Sequence, residues 1–450
     1  MDTKSNSSRS IDMVTGSLWR NIFFFSIPLM CSQLLEVMFN LSDVAVVGHF
    51  ADYKALGAVG STTLLVTLFT SFLIGMGSGV NVRVAHALGA GDKKTTSETI
   101  HSSLVLCTIT GIIIAVICFF FSHAMLCLLN TKDNLIDQAS LYLKIYAFGL
   151  PALGIYNFGN GVLSAHGETK RPLYYLSIAG VLNVLLNLFF VIVFHMAAAG
   201  VAAATMIAQY VSAGLILIHL LQRKDECRII PSQIRCYKRS STQVLAIGIP
   251  SGIQTAIFCL ANLFVQAGVN SFDTIMVSGN SAATNADSII YGILFAFYTG
   301  TSSFVSQNLG AGKKDRVLKS YFITLFYSFS AALILGTLLY FFGRQFLAVF
   351  ASESDVIDAG MHRIRIMAFS YMISVFMDCT TAASRGIGKS IVPTAIIILG
   401  SCVFRIVWIY TVFAYFHTIP SLYLLYAFSW TITALAEIIY FIVSYRKLSC

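Results

Sequence analysis

The sequence has 450 residues, of which 57% are hydrophobic and 11% are charged, and its formal net charge is +9. Because a soluble domain carries about 25% charged residues, this chain has too little charge to cover a surface that faces water. The composition therefore excludes an ordinary soluble protein and predicts that lipid surrounds most of the chain.

Apolar runs separated by glycine, proline and charge clusters predict twelve membrane spans. Each run exceeds the roughly 20 residues that a helix needs to cross a hydrocarbon core. Their predicted starts, in chain order, lie near Asn21, Ala55, Thr99, Ile136, Pro172, Ala197, Thr242, Ser281, Val317, Asp358, Ile391 and Ile419. The runs are too long and too evenly apolar for the strands of a membrane barrel. The predicted fold class is an all-α integral membrane protein.

Lysine and arginine are concentrated in alternate loops, such as the loop with Lys93 and Lys94 and the long central loop. Positive residues in short loops stay on the cytoplasmic side of a membrane. This pattern predicts a multi-pass protein of the plasma membrane with both termini in the cytoplasm. It also explains the net positive charge without a nucleic-acid partner.

The central loop at residues 223–241 is the longest cytoplasmic connection and the natural boundary between halves. It predicts an N-terminal lobe of six helices at 1–222, a cytoplasmic linker at 223–241 and a C-terminal lobe of six helices at 242–450.

An internal repeat connects these two halves. The Leu-Gly-Ala-Gly sequence at 88–91 recurs at 309–312, an offset of 221 residues. Other markers keep that offset to within one residue: Ala147-Phe148 with Ala368-Phe369, Gly167 and Pro172 with Gly388 and Pro393, and Pro28 with Pro250. Chance matches between apolar helices would not stay in register over such a distance.

Each copy has an even number of spans, so both copies enter the membrane in the same direction. Parallel repeats of this kind are related by an axis along the membrane normal. The repeat predicts two six-helix bundles that alternate access to a cleft, and it makes a monomer sufficient.

Four polar residues lie on one face of the first span, because Gln33, Glu36, Asn40 and Asp43 follow one another at steps of three, four and three. A face with two carboxylates cannot point at lipid, since an ionisable group at bilayer depth costs at least about 2.5 kcal/mol. We expect this face to point into the N-terminal bundle. Two carboxylates in a low dielectric can share a proton, and the same oxygens could hold Na⁺ instead.

Further polar pairs occur at four-residue steps in later spans, namely Asn183 with Asn187 and Thr205 with Gln209. Together with the first span they would line a polar chamber. The alternative is a hydrogen-bond network that only holds the bundle together.

The sequence resembles the multidrug and toxic compound extrusion (MATE) family over essentially its whole length. The resemblance rests on Ile27-Pro28, the spacing from Asp43 to Gly48, the paired Leu-Gly-Ala-Gly loops with trailing lysines, the stretch from Ala165 to Pro172, Asn183, Ala203-Ala204-Thr205, and the stretch from Arg385 to Lys389. It implies two six-helix lobes and export of organic, often cationic, compounds in exchange for a cation. Small organic substrates and membrane lipid are the expected partners, and no metal or cofactor is expected beyond the coupling ion, H⁺ or Na⁺.

The resemblance also implies roles for single residues. Asp43 stands where members of the DinF-like branch, which the chain resembles more than the NorM-like branch, carry the first-helix aspartate that holds the coupling cation. Asn187 stands where many of those members have a second aspartate, and Glu36 may replace that carboxylate here. Phe258 stands where NorM-like members carry a glutamate. We therefore expect cation coupling in the N-terminal lobe through Asp43, Glu36, Asn40, Asn183, Asn187 and Thr205.

Several residues are candidates for substrate contact or secondary coupling. They are Gln33, Gln209, Asp287, Asp378 and the aromatic residues Tyr291, Phe295 and Tyr298, which share a face of the eighth span. An aromatic face beside a carboxylate would suit an organic cation, although aromatic residues at such spacing more often serve packing. Arg405 and Glu437 lie on the last two spans and are expected to pair with each other.

Two other functions compete with antiport. A flippase of lipid-linked precursors would need several basic residues for a pyrophosphate, yet Arg405 is the only base plainly inside a predicted span. A membrane-embedded enzyme would need a nucleophile and base or a metal site in its loops, and most loops here are too short. The sequence favours an antiporter that is not an enzyme.

Overall fold

The computed structural model describes residues 10–448, and within that range the chain forms helices and short connections without a strand. The α-helices are α1 (Leu18–Phe50), α2 (Tyr53–Gly89), α3 (Lys93–Leu128), α4 (Asp133–Ala147), α5 (Leu150–His166), α6 (Lys170–Leu188), α7 (Ala197–Gln222), α8 (Lys238–Val269), α9 (Thr274–Gly310), α10 (Lys314–Leu347), α11 (Ser354–Gly386), α12 (Ile391–Ile397), α13 (Phe404–Trp408), α14 (Ala414–Phe416) and α15 (Ile419–Arg446). Three π-helical segments, Phe189–Val193, Ile398–Val403 and Ile409–Phe413, continue or separate these helices, and Pro231–Gln233 forms a 3₁₀ turn.

Eleven helical segments in the described range are long and apolar enough to cross a membrane. They include Ile391–Phe416, in which α12, α13 and α14 follow one another through π-helical turns. The remaining predicted span corresponds to α4 and α5, which have 15 and 17 residues. Pro151 interrupts this span because its ring lacks an N–H and collides with the carbonyl four residues earlier, where α4 ends. The all-α prediction is confirmed.

The internal repeat is visible in the helix boundaries. Helices α2 and α9 have 37 residues each and begin and end 221 residues apart. The aspartate before each helix caps it in the same way, since Asp52 accepts a hydrogen bond from the Ala55 amide and Asp273 from the Met276 amide, both at 2.8 Å. The loops that follow turn at Gly91 and Gly312, whose φ angles are 65° and 69°. The predicted parallel repeat is therefore built into the fold.

The chain packs as two units. The first comprises Cys31–Gly252 with the described residues before Met13, and the second comprises Met13–Met30 with the described residues from Ile253 onward. The chain thus passes from one unit to the other inside α1 and inside α8, shortly after Pro28 and Pro250. The lobe boundaries at 222 and 242 that the sequence suggests stay a prediction.

Each unit has its own apolar core. In the first unit, Leu73, Leu143 and Leu150 from α2, α4 and α5 are almost fully buried. In the second, Leu294 of α9 and Val375 of α11 are fully buried. These cores hold rigid helix bundles, and the polar side chains discussed below project from them.

Candidate functional site

Asp43, in the second half of α1, is held by side chains from two other helices of the first unit. The Asn187 amide on α6 donates a hydrogen bond to Asp43 Oδ1 at 2.5 Å, and the Thr205 hydroxyl on α7 donates to Oδ2 at 3.4 Å. Both carboxylate oxygens are therefore engaged, and the predicted meeting of Asp43, Asn187 and Thr205 is what the structure shows.

A second set of hydrogen bonds closes these residues into a ring. Asn187 also donates to Asn183 Oδ1 at 3.3 Å, and Asn183 in turn donates to Thr205 Oγ1 at 3.2 Å. Asn187 is fully buried, and its own side-chain oxygen has no hydrogen-bond partner in the described structure. This oxygen, beside the carboxylate of Asp43, gives the ring spare capacity to accept a proton donor or to contact a cation.

Close packing of α1 against α6 brings the ring together. Gly180 lies three and seven residues before Asn183 and Asn187, and the Phe39 ring fills the space where a Cβ would stand. A Cβ added at Gly180 would lie 1.8 Å from Phe39 Cε2. Since Phe39 precedes Asp43 by one helical turn, this contact sets the distance from Asp43 to Asn187.

Glu36 does not join the ring. It lies seven residues before Asp43, about 10 Å along the helix, and is within electrostatic range of Tyr146 and Tyr156. Gln209 approaches the Tyr146 hydroxyl as well, and it packs so closely that a Cβ at Gly149 would lie 2.0 Å from its Oε1. The polar face of α1 therefore meets two separate sets of partners.

Two further predicted residues lie outside both sets. Gln33 is half-buried, whereas Asn40 is exposed and so does not share the buried setting expected for its face. Their roles in the site stay predictions.

Sequence reasoning missed the tyrosines that surround the polar face of α1. Tyr142 of α4 lies within electrostatic range of Asp43, and Tyr146, one turn later, shares a hydrogen bond of 3.0 Å with Thr70. The step of four between Tyr142 and Tyr146 could have indicated a common face, but tyrosine is frequent in this chain and that step alone does not single them out.

In the second unit, Asp287 forms an ion pair with Arg363 of α11 and accepts a hydrogen bond from the Tyr371 hydroxyl. Arg363 is 4% exposed and also donates to Asn280 Oδ1 at 2.8 Å. The expectation that Arg405 is the only base inside a span is thus wrong, because α11 begins and ends beyond the predicted span and includes Arg363 and Arg385.

Asp378 of α11 lies beside Tyr298 of α9 and within electrostatic range of Tyr291. These two tyrosines are partly buried, whereas Phe295 is 39% exposed, so the three predicted aromatic residues do not all border the same group.

The expected pair between Arg405 and Glu437 is not formed. The Arg405 guanidinium donates to Asn262 Oδ1 at 2.8 Å and lies over the rings of Phe258 and Tyr426. The charges that act on Glu437 are those of Arg385 and Asp378 on α11. Sequence position could not reveal this, since the pairing depends on how the helices rotate.

The helices and the buried carboxylates together define a polytopic membrane protein with a duplicated helical unit. The family model of MatE matches this chain twice, at residues 28–189 and 250–411, so the chain belongs to the MatE family. The two matches are displaced by 222 residues, in agreement with the internal repeat.

Known proteins resemble the chain along most of its length. A "Probable multidrug resistance protein YpnP" from Bacillus subtilis is 30% identical over 81% of both chains. A "Probable multidrug resistance protein NorM" from Thermotoga maritima is 22% identical over 84% of this chain and 82% of its own length. Among solved structures, an "Outward-facing conformation of a multidrug resistance MATE family transporter of the MOP superfamily" matches with a TM-score of 0.90 at 19% identity, covering 98% of this chain and 99% of that one.

Proposed function

We propose that this MatE-family protein exports organic compounds, cationic or amphipathic in character, in exchange for H⁺ or Na⁺ bound at Asp43. The observation that carries the proposal is the hydrogen-bonded ring of Asp43, Asn183, Asn187 and Thr205 across α1, α6 and α7. The names of the multidrug resistance relatives support the substrate class.

The ring offers a way to convert ion binding into helix movement. In its ionised form Asp43 accepts hydrogen bonds from Asn187 and Thr205. A proton on Oδ2 would reverse the bond to Thr205, because the carboxyl group would then donate and the hydroxyl would have to accept. Thr205 already accepts from Asn183, so the whole ring would rearrange. The packing of α1 against α6 and α7 would respond to the change.

Sodium could act at the same place. The carboxylate of Asp43, the side-chain oxygen of Asn187 and the hydroxyl of Thr205 are oxygen donors that suit a hard cation. Exchange would follow alternating access between two six-helix lobes in the plasma membrane, with both termini in the cytoplasm. A single chain would be sufficient.

Efflux measurements on the purified protein in liposomes test the proposal. Ethidium export under an imposed H⁺ or Na⁺ gradient should fall by at least about tenfold in Asp43→Asn, because the amide cannot carry the exchangeable charge. Glu36→Gln, outside the ring, tests the second carboxylate of the predicted site.

Thr205 provides a matched pair of variants. Thr205→Ser keeps the hydroxyl and should retain efflux, whereas Thr205→Val keeps the shape, loses the hydroxyl and should lose efflux. If Asp43→Asn and Glu36→Gln both left gradient-driven efflux intact, the coupling site would lie elsewhere.

A further inference from the structure

Arg405 is a fully buried cation in the second unit, and it lies on the short helix α13 between two π-helical segments. The later segment, Ile409–Phe413, has a counterpart in the first copy at Phe189–Val193, within one residue of the repeat offset. The earlier segment, Ile398–Val403, corresponds to regular helix in α6. Insertions of this kind are frequent at functional positions, and this one directly precedes Arg405.

The repeat shows that the charge of Arg405 is particular to the second copy. Subtracting the offset of 221 places Arg405 opposite Val184, next to Asn183 of the ring. The first copy has carboxylates at Glu36 and Asp43, and the second has Phe258 and Val265 at the matching places. The two copies have therefore acquired opposite charge at their polar positions.

Aromatic rings surround the Arg405 guanidinium. Its central carbon lies 4.4 Å from the ring centre of Phe258, 4.6 Å from that of Tyr426 and 5.7 Å from that of Trp430. Such rings stabilise a cation electrostatically but satisfy few of its N–H groups. They also offer an apolar surface to the body of a ligand.

Most of the hydrogen-bonding capacity of this group is unused. Arg405 donates to Asn262 through Nη1, whereas its Nε and Nη2 atoms have no partner in the described structure. The Nε1 atom of Trp430, which is 1% exposed, has none either. Because a buried donor without an acceptor is costly, these donors indicate a group that accepts hydrogen bonds from both side chains.

Charges from neighbouring helices leave Arg405 as the surplus cation. None of the ion pairs among residues 10–448 includes it, in contrast to Arg363. Asp378 of α11 is within range, but the strongest attractive charge on Asp378, and on Glu437 of α15, comes from Arg385. Tyr291 of α9 also faces the group and carries no charge at neutral pH.

We propose that Arg405 and Trp430 form an anion-binding site inside the second unit, which takes the carboxylate of an aromatic organic anion. The planar guanidinium and the indole N–H donate to the carboxylate oxygens, and the rings of Phe258 and Tyr426 contact the aromatic body. As a substrate site it rests on the proposed export function, and it widens the substrate class from cations to compounds with an acidic group.

Binding to the purified full-length protein tests the site without any gradient, so its outcome is independent of ion coupling at Asp43. Benzoate is the probe, and benzamide is a neutral analogue of the same shape. Binding is followed by tryptophan fluorescence and by thermal shift. We expect saturable benzoate binding, with an affinity for benzamide that is weaker by about tenfold or more, since the site is built around charged donors.

Variants separate the site from general packing. Arg405→Gln should weaken benzoate binding by about tenfold or more, and Trp430→Phe, which keeps a ring but loses the donor, by about threefold to tenfold. Trp408→Phe is the matched control, because the Trp408 indole already donates to the Ser421 carbonyl at 2.8 Å. If Arg405→Gln does not fold, Trp430→Phe still decides the question.

Three results would overturn the site: equal binding of benzoate and benzamide, unchanged benzoate binding in both Arg405→Gln and Trp430→Phe, or an equal response to sodium chloride. The Asp43→Asn protein should still bind benzoate. Loss of efflux in that variant with benzoate binding retained would therefore separate the two proposals.

Discussion

At the scale of single residues, the candidate coupling site depends on a glycine that carries no charge. Gly180 admits the Phe39 ring between α1 and α6, and the hydrogen bond from Asn187 to Asp43 depends on this approach. Chemistry and packing are thus linked one helical turn apart.

Gly180→Ala should separate the two helices, because the new methyl group would overlap the Phe39 ring. We expect a loss of stability of roughly 1–3 kcal/mol and a loss of efflux, measured as the thermal midpoint in detergent and as ethidium export in liposomes. Gly214→Ala in α7 is the control, since a Cβ there meets nothing within 4 Å.

A second variant distinguishes overlap from other effects of the substitution. Adding Phe39→Ala to Gly180→Ala removes the overlapping ring and should recover part of the lost stability. No recovery in the double variant would mean that the ring is not what Gly180 accommodates.

At the scale of elements, an acidic residue in a loop connects α5 and α6 to the end of α7. Glu168 accepts a hydrogen bond from Arg223 at 3.0 Å, and His219 lies 3.6 Å from its other oxygen. Burial alone would raise the pKa of Glu168, but the His219 ring and the Arg223 guanidinium outweigh it and lower the pKa to about 2. Arg223 also binds Asp225, so one arginine secures both the loop and the helix end.

The sign of the pH dependence follows from this lowered pKa. An unfolded glutamate has a pKa of about 4.3, so the native state gains stability from ionised Glu168 above that pH. The gain is lost as the pH falls from about 4.3 towards 2. The thermal midpoint of the native protein should therefore fall steeply over this range.

Glu168→Gln should have a lower midpoint at neutral pH, by roughly 1–3 kcal/mol, and a flatter profile between pH 5 and pH 3, which are about the limits of the transition. Arg223→Gln removes the other partner and should flatten the profile in the same way. Parallel profiles for the native and Glu168→Gln proteins would contradict the assignment.

At the scale of the whole molecule, the first half of α8 belongs to the packing of the first unit. Val244 is fully buried there, and a Cβ at Gly79 of α2 would lie 2.7 Å from the Gly248 amide nitrogen. Arg83 of α2 donates to Gln243 of α8. The repeat boundary at residue 222 therefore does not complete this core.

A fragment of residues 1–252 should be better folded than a fragment of residues 1–222, because only the longer one contains the α8 segment that covers α2. Size-exclusion chromatography in detergent and limited proteolysis measure the difference. The longer fragment with Gly79→Leu, which blocks the contact, should behave like the shorter one. Equal behaviour of the two unmodified fragments would exclude the role of α8.

The fold was largely predictable because its signals are local. Length and hydropathy define spans, and a constant offset defines the repeat. The ring at Asp43 was predictable for a similar reason, since steps of three and four residues mark the polar faces of α1, α6 and α7. The tyrosines of α4 and the Asp287–Arg363 pair were not, because these side chains meet only after helices pack, and no spacing along the chain records that contact.

Val184 and Arg405 occupy equivalent places in the two copies, and only one of them is charged. A transporter assembled from two identical six-helix chains would share one gene, so every substitution would appear in both halves at once. An acidic group confined to one half and a basic group confined to the other can arise only after the copies are joined in a single reading frame. Fusion thus allowed each half to specialise for ligands of opposite charge.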